Sequence, residues 1–343
     1  MTLKQRSRRG SGRPTLSDVA DRAGVGTITV SRALREPERV SPELRERIDL
    51  AVKDLGYVLN PNARALASVR ADVIGVLIPS MTNNVFSDVL RGIHDGLGES
   101  ALQVQFGNTH YSEREEERLL RVFLSQHPSA LIISGIDQSP TTRRLMETAD
   151  CPVVQIMEIG PDPIDMMIGF SHFEGGKAAA QHLIDVGCQR IGFIGARMDP
   201  RSTRRMEGYK SAMLTAGEFD SRLVTTTMQP SSVTVGMRLF HEAIERVPGL
   251  DGVVCNNYDI ALGALFACNR AGMAVPARMC IAGFNDLEMM EAAYPPITSV
   301  RTPRYEMGRR AIAMALAELN GQMVKDRIVD LGFELKIRAS TLR

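Results

Sequence analysis

The chain of 343 residues has no run of 18 or more apolar residues, so no segment reads as a helix that crosses a bilayer. Its N-terminus is polar and basic and lacks the apolar stretch of a secretory signal, which points to a cytoplasmic protein. Cysteine is scarce. Cys151, Cys188, Cys255, Cys268 and Cys280 are an odd number, far apart, with no close pair. That argues against a disulfide framework or a zinc site and fits a reducing compartment. The six histidines have no metal-ligand spacing, and His172 and His182 do not form an i, i+4 pair, so no metal is expected. No G-x-x-x-x-G-K-[ST] or G-x-G-x-x-G follows a strand, which leaves nucleotide chemistry without a cradle and implies no cofactor. Ser134 in ISGID is not a G-x-S-x-G nucleophile elbow. An enzyme is therefore the weaker reading, though composition alone does not remove it.

The apolar content of 44% is ordinary for a globular chain with a large core, and the length fits two or three domains. The net charge of +1 hides an asymmetry: residues 1–70 carry +6 and the remainder −5. A basic head on an acidic body is what a nucleic-acid-binding module joined to a different domain would show. A solvated basic tail is the plain alternative, because residues 4–13 hold five basic charges and no acid.

Residues 1–13 are rich in Gly, Ser and Arg and read as a disordered tail. Residues 14–59 read as a helical head, 60–71 as a linker, and 72–343 as the body. Within the head, Thr15 precedes Leu16 with Asp18 three residues on, a weak capping pattern, and Gly24 breaks that first helix. A second helix runs from about Thr27 to Leu34. Ser41-Pro42-Glu43 starts a third that ends at Leu55 before Gly56. From residue 72 the pattern changes to short apolar runs at 73, 130, 152, 190, 252 and 279, most of them followed by a helix-like stretch. Strands alternating with helices imply doubly wound parallel sheets, making the whole an α/β protein with an all-α head. The body is long enough for two such subdomains, about 72–168 with 304–331 and 169–303 with 332–343. Ligands in these folds sit beyond the carboxyl ends of the strands.

Residues 15–34, TLSDVADRAGVGTITVSRAL, are two short helices around a glycine-containing turn, the helix-turn-helix pattern. Ala20, Val25 and Val30 would pack them together, leaving Thr27, Ile28, Thr29, Ser31 and Arg32 on or near the outer face of the second helix. Such a helix enters the major groove by its N-terminal end, where Thr27 and Ile28 could touch base edges and Arg32 a guanine or a phosphate. Thr15 and Ser17 at the start of the first helix complete this candidate DNA-binding set. An ordinary helical hairpin is the bland alternative.

This stretch resembles the head of the lactose-repressor/galactose-repressor family, with the pattern T-L-x-D-V-A-x-x-A-G-V-s-x-x-T-V-S-R, and departs from it only at Gly26, where serine is usual. The resemblance continues through VSPELRERIDLAVKDLGYVLNPNARALAS and covers nearly the whole chain. It implies a dimer on double-stranded operator DNA and a hinge helix over Asn60–Ser68. Leu66 is the implied minor-groove wedge, with Asn60, Ala63 and Arg64 beside it. Leu59 stands where the family's hinge proline is usual, and Pro61 follows.

The body also resembles the family, whose effector domain shares its fold with periplasmic sugar-binding proteins. A periplasmic protein is itself a third reading, opposed by the head and the missing signal. VIGVLIPSMTNNVFSDVLRGI looks like the first strand, ligand loop and helix. RRMEGY matches R-x-x-G-[WY], whose arginine implies Arg205 as a ligand grip, a fork suited to a carboxylate or a diol. NNYDIALGAL implies Asn257, with Tyr258 replacing an acid. AGFND places Asn285 where an aspartate is common. Arg197 joins them, and Ser80, Asn83, Asn84, Phe86, Ser134 and Glu158 are added from the strand-end loops. Amides and arginines in place of carboxylates favour an acid sugar over a neutral one. The elements GARMDPRS, CNNYDIALGA and LGFEL look like the gluconate repressors of the family, which implies gluconate or a ketogluconate as effector. No leucine heptads follow Leu342, so a dimer is the simplest assembly.

Overall fold

The computed structural model describes residues 14–58 and 71–343, and the chain divides into two compact units, 1–71 and 72–343. The first unit contains α1 (Leu16–Ala23), α2 (Thr27–Arg35) and α3 (Pro42–Leu55). Its α1 starts on a full capping box. The Thr15 hydroxyl accepts from the Asp18 amide at 3.3 Å, and the Asp18 carboxylate accepts from the Thr15 amide at 2.6 Å. Gly24, at φ +67°, ends α1 in the left-handed region that glycine enters without penalty. Arg47 of α3 caps the same end by donating to the Ala23 carbonyl at 2.5 Å. The turn brings Gly26 to the N-cap of α2, where no side chain is present to accept an amide. The Ser41 side chain makes no capping bond either, so the start of α3 rests on Pro42 and Glu43. The core of this unit is small: Val19, Ala20, Ala23, Val30, Ala33, Ile48 and Ala51 are buried, with Val25 packed at their edge.

The second unit holds two six-stranded sheets. One is built from β1 (Ala71–Ile78), β2 (Gln103–Asn108), β3 (Pro128–Ser134), β4 (Val153–Ile156), β5 (Met166–Gly169) and β11 (Ile328–Asp330), in the order β11-β5-β4-β3-β1-β2. The other is built from β6 (Ile191–Ala196), β7 (Val224–Thr227), β8 (Gly252–Cys255), β9 (Cys280–Asn285), β10 (Thr298–Arg301) and β12 (Glu334–Lys336), in the order β12-β10-β9-β8-β6-β7. The second sheet is parallel except at its edge, where β12 pairs antiparallel with β10, a departure from an all-parallel sheet. The chain has already finished its βα units there and returns as a short tail strand.

The helices are α4 (Val85–Leu97), α5 (Glu113–Leu124), α6 (Pro140–Glu147), α7 (His172–Asp185), α8 (Pro200–Thr215), α9 (Val233–Arg246), α10 (Tyr258–Arg270), α11 (Glu288–Ala292) and α12 (Arg304–Leu319). Among the helix pairs that meet backbone to backbone are α4 with α12 and α7 with α8. A Cβ on Gly92 would lie 2.1 Å from the Tyr305 carbonyl oxygen, and one on Gly308 2.0 Å from that of Val89. In the other pair, a Cβ on Gly176 would lie 2.1 Å from the Arg205 carbonyl oxygen, and one on Gly208 2.0 Å from that of Phe173. No side chain fits at these four positions without moving a helix. Among the described residues, no helix is long and apolar enough to cross a membrane.

Candidate functional site

In the first unit, the outer face of α2 carries Thr27, Ile28 and Arg32 exposed, with Thr29 and Ser31 half-buried, while Val30 and Ala33 turn into the core. Ile28 is 74% exposed, an apolar side chain that packs on no core among the described residues. Ser17 is exposed, and the Thr15 hydroxyl is engaged by its capping bond to Asp18. Asn60, Ala63, Arg64 and Leu66 lie outside the described residues.

In the second unit, a cavity opens beyond the carboxyl ends of the strands. Six of the predicted residues line it: Asn83, Phe86, Arg197, Arg205, Asn257 and Asn285. They come from both sheets, because β1 delivers the loop before α4 while β6, β8 and β9 deliver the others.

Arg205 is 7% exposed and is fixed on three sides. Its Nε donates to His172 Nδ1 at 3.0 Å, its Nη1 donates to the Asn256 carbonyl at 2.5 Å, and Phe284 stacks on the guanidinium with the ring centre 4.0 Å from Cζ. Since His172 Nδ1 accepts, the ring proton sits on Nε2 and is donated to the Met157 carbonyl at 2.8 Å. Burial first, and then the Arg205 charge, hold the His172 pKa well below its ordinary value, so the imidazole stays neutral and keeps its acceptor. Burial lowers the Arg205 pKa to about 10, which leaves it charged at neutral pH. Its Nη2 has no hydrogen-bond partner among the described residues. The close approach of α7 and α8 through Gly176 and Gly208 is what sets Arg205 against His172.

Asn285 ends β9 at φ +79°, a left-handed conformation that asparagine tolerates. Its Oδ1 is buried without a hydrogen-bond partner in a cavity wall, an acceptor awaiting a donor. The neighbouring Asp286 is neutralised inside the protein by Arg301 and Arg338, each at 2.6 Å. Asn257 is more constrained than its place in the motif implies. Its Oδ1 caps α10 by accepting from the Ile260 amide, and its Nδ2 donates to Ser231 at 2.7 Å. Tyr258 is buried and does not line the cavity.

Three strand-end residues lie away from both this cavity and its neighbour. The Ser80 hydroxyl accepts the Asn83 amide and shapes the loop instead. Asn84 is exposed at the N-cap of α4. Glu158 is 2% exposed, with Oε2 unpartnered and Arg204 Nη1 3.6 Å away; burial raises its pKa. Ser134 lines an adjoining cavity that shares Tyr111, Asp199 and Arg201 with the first.

Residues the sequence reading did not single out complete the site. Arg201 donates to Ser134 at 3.1 Å, and its guanidinium lies over the Phe86 ring at 5.8 Å. Arg204 holds Asp137 with a two-pronged bond at 2.6 and 2.8 Å. The Arg197 guanidinium lies over the Tyr111 ring at 4.1 Å, and the Tyr111 hydroxyl accepts from Asn83. Asp199 caps α8, Pro200 starts it, and Arg201, Arg204 and Arg205 follow at i, i+3, i+4 spacing on one face. That spacing was a signal available in the sequence. The cavity wall thus carries Arg197, Arg201 and Arg205 against the single acid Asp199. The N-terminus of α8 adds to the positive field. In the adjoining cavity Glu116 is held protonated up to about pH 7, first by burial and then by Glu113. Among the described residues no cluster of His, Cys, Asp and Glu could hold a metal ion.

Residues 15–60 match the family model described as bacterial regulatory proteins of the lacI family, and residues 180–341 match the periplasmic-binding-protein-like domain. The transcriptional regulator GntR of Pseudomonas aeruginosa is 42% identical over 341 residues, covering 99% of each chain. GntR of Escherichia coli K12 is 39% identical over 323 residues, covering 94% of this chain and 97% of its own. A crystal structure of a LacI-family transcriptional regulator from Silicibacter pomeroyi superposes with a TM-score of 0.90 at 34% identity, covering 96% of this chain and 100% of its own. These relatives are regulators, not enzymes.

Proposed function

This chain belongs to the LacI family of bacterial regulatory proteins and is a DNA-binding transcriptional regulator, and on that premise we propose that it is a cytoplasmic, dimeric repressor of sugar-acid uptake and catabolism genes, released from its operator by gluconate or a ketogluconate. The observation that carries the ligand assignment is the pairing, in one cavity wall, of Arg205 with a vacant Nη2 and Asn285 with a buried, unpartnered Oδ1. A sugar acid offers the complement of both. Its carboxylate accepts from Arg205 with help from Arg201 and Arg197, and one of its hydroxyls donates to Asn285. A neutral sugar would leave three cavity arginines facing one carboxylate.

The ligand would contact loops of both sheets and so favour the arrangement in which they are close. Its leverage on the operator equals its differential affinity for the two states, and moving a 1:99 population to 99:1 takes roughly 10⁴-fold. Two ligands per dimer share that at about 100-fold each. On the DNA side, two heads related by a two-fold axis impose a near-palindromic site, read by Thr27, Ile28 and Arg32 at each half.

Calorimetric titration of gluconate, 2-ketogluconate, glucose and galactose tests this reading, with and without an operator-bearing fragment. Sugar acids are expected to bind tightest, and the fragment to weaken them by the factor by which they weaken DNA binding. Tighter binding of glucose than of gluconate would overturn the acid-sugar assignment.

A further inference from the structure

The cysteines that stand far apart in sequence do not all stay apart in the fold. Cys188 follows α7, in the turn that Gly187 makes at φ +87°, with its amide donating to the Leu183 carbonyl at 3.0 Å. Its side chain lies in a notch left by Gly252, whose Cβ, if present, would be 3.1 Å from Cys188 Sγ and 3.2 Å from Cys188 Cβ. Gly252 of β8 is in register with Cys280 of β9, and in-register residues of neighbouring strands face the same side of a sheet about 4.8 Å apart. The missing side chain of Gly252 therefore leaves room for Cys188 beside Cys280, and both converge on one carbonyl: that of Asp251 accepts from the Cys280 amide at 2.9 Å and from Cys188 Sγ at 3.8 Å, while Cys280 Sγ donates to the Pro276 carbonyl at 3.8 Å. A disulfide forms where the Cβ atoms come to roughly 3.5–4.5 Å apart.

We propose that Cys188 and Cys280 are a redox-modifiable pair, oxidised by peroxide to an intramolecular disulfide and restored by a thiol reductant. In the oxidation, the Cys280 thiolate attacks one peroxide oxygen and the O–O bond breaks. Cys280 becomes a sulfenic acid and the second oxygen leaves as water. The Cys188 sulfur then displaces the sulfenic hydroxyl, which takes the Cys188 proton and leaves as a second water. Two thiols and one hydrogen peroxide become one disulfide and two waters.

The surroundings select this pair among the cysteines. Arg343 donates to the Asp251 carbonyl at 3.0 Å, and Asp251 in turn accepts from the amides of Gln189 and Arg190, so a guanidinium is held beside both sulfurs. The neighbouring Cys188 thiol and the charge of Arg343 pull the Cys280 thiol below its ordinary value, while Cys188 itself is pushed up. Burial pushes Cys255 and Cys268 up instead. Both sulfurs are buried, but Gly187, Gln189 and Arg190 of the overlying turn are exposed, so opening one turn admits a peroxide. The pair lies where β8 and β9 begin, at the opposite ends of the strands from the cavity, so its oxidation is a signal separate from the ligand.

The test treats the full-length reduced protein with hydrogen peroxide, blocks remaining thiols after denaturation, and maps unreduced peptides. A Cys188–Cys280 cross-linked peptide, about 2 Da lighter than its two parts, is expected to appear first and to vanish with dithiothreitol. In Cys188→Ser, Cys280 loses its resolving partner and is expected to stop at a sulfenic acid that dimedone traps. Gluconate affinity is expected to be the same before and after oxidation. Two thiols that remain fully blockable after peroxide, a cross-link to any other cysteine, or a Cys188→Ser protein that dimedone does not label would each overturn the assignment. None of these outcomes depends on whether gluconate is the ligand.

Discussion

In the head, Thr27, Ile28 and Arg32 stand in water on a helical unit whose described buried apolar core is mostly alanine and valine. In the body, Arg205 and Asn285 are 7% and 4% exposed, and each is fixed by neighbours from distant parts of the chain. The head presents donors and an apolar surface whose partners come from outside. The body builds its binding groups into a core and leaves two of their polar atoms vacant. Operator affinity in the head is therefore expected to be additive and sensitive to salt, whereas in the body one lost side chain leaves several buried groups unpaired.

The sharpest way to break this contrast is Arg205→Ala. It removes the ligand's charged donor and orphans His172 Nδ1 and the Asn256 carbonyl. A loss on the order of 3 kcal/mol, about a hundredfold in gluconate affinity, is expected, with operator binding in the absence of ligand retained. Calorimetry beside a gel shift measures both, and unchanged induction would remove the role given to Arg205.

A smaller effect is expected in the head. Arg32→Ala should weaken operator binding by on the order of 1–3 kcal/mol while leaving gluconate affinity and the thermal midpoint unchanged, because Arg32 is exposed and outside the core. A shift in ligand affinity would contradict the independence of the two sites.

The smallest effect refines the body's half of the comparison. Glu116 is neutral below pH 7 and anionic above it, and Arg201 is among the charges that act on it. Gluconate affinity should then fall by roughly threefold, less than 1 kcal/mol, as pH rises from 6 to 8, and Glu116→Gln should flatten the profile. A profile rising with pH in the parent protein would show that another group controls it.

Legibility in the sequence followed the same division. The head's motif is local, so α1, α2 and α3 could be placed to within a residue or two from Thr15, Gly24, Pro42 and Gly56. In the body, the apolar runs at 73, 130, 152, 190, 252 and 279 became β1, β3, β4, β6, β8 and β9, most of them covered on both faces. The edge strands escaped notice. β2 alternates Gln103 and Gln105 with exposed Phe106, and β7 is three threonines after a valine, because an edge strand has no need of a continuous apolar run. At the site, Arg205 and Asn285 came from motif resemblance, but Tyr111 and Asp137 depend on how loops of one sheet meet α8 of the other, which no local pattern encodes. Glu158 follows a strand end as a ligand residue would, yet it points inward, because which way a loop turns after a strand is a property of packing.

The glycine contacts between α7 and α8 bear on how such a regulator could change its taste. Helices that touch at Gly176 and Gly208 with no side chain between them behave as one plank, and the arginine they carry cannot be re-aimed by swapping its neighbours for larger or smaller ones. A lineage acquiring a new effector would have to keep the plank and its arginine and rewrite the rims, at Asn83, Tyr111 and Asp137. Divergence in ligand preference should therefore accumulate in the loops of the first sheet, while the second keeps its arginine where it is.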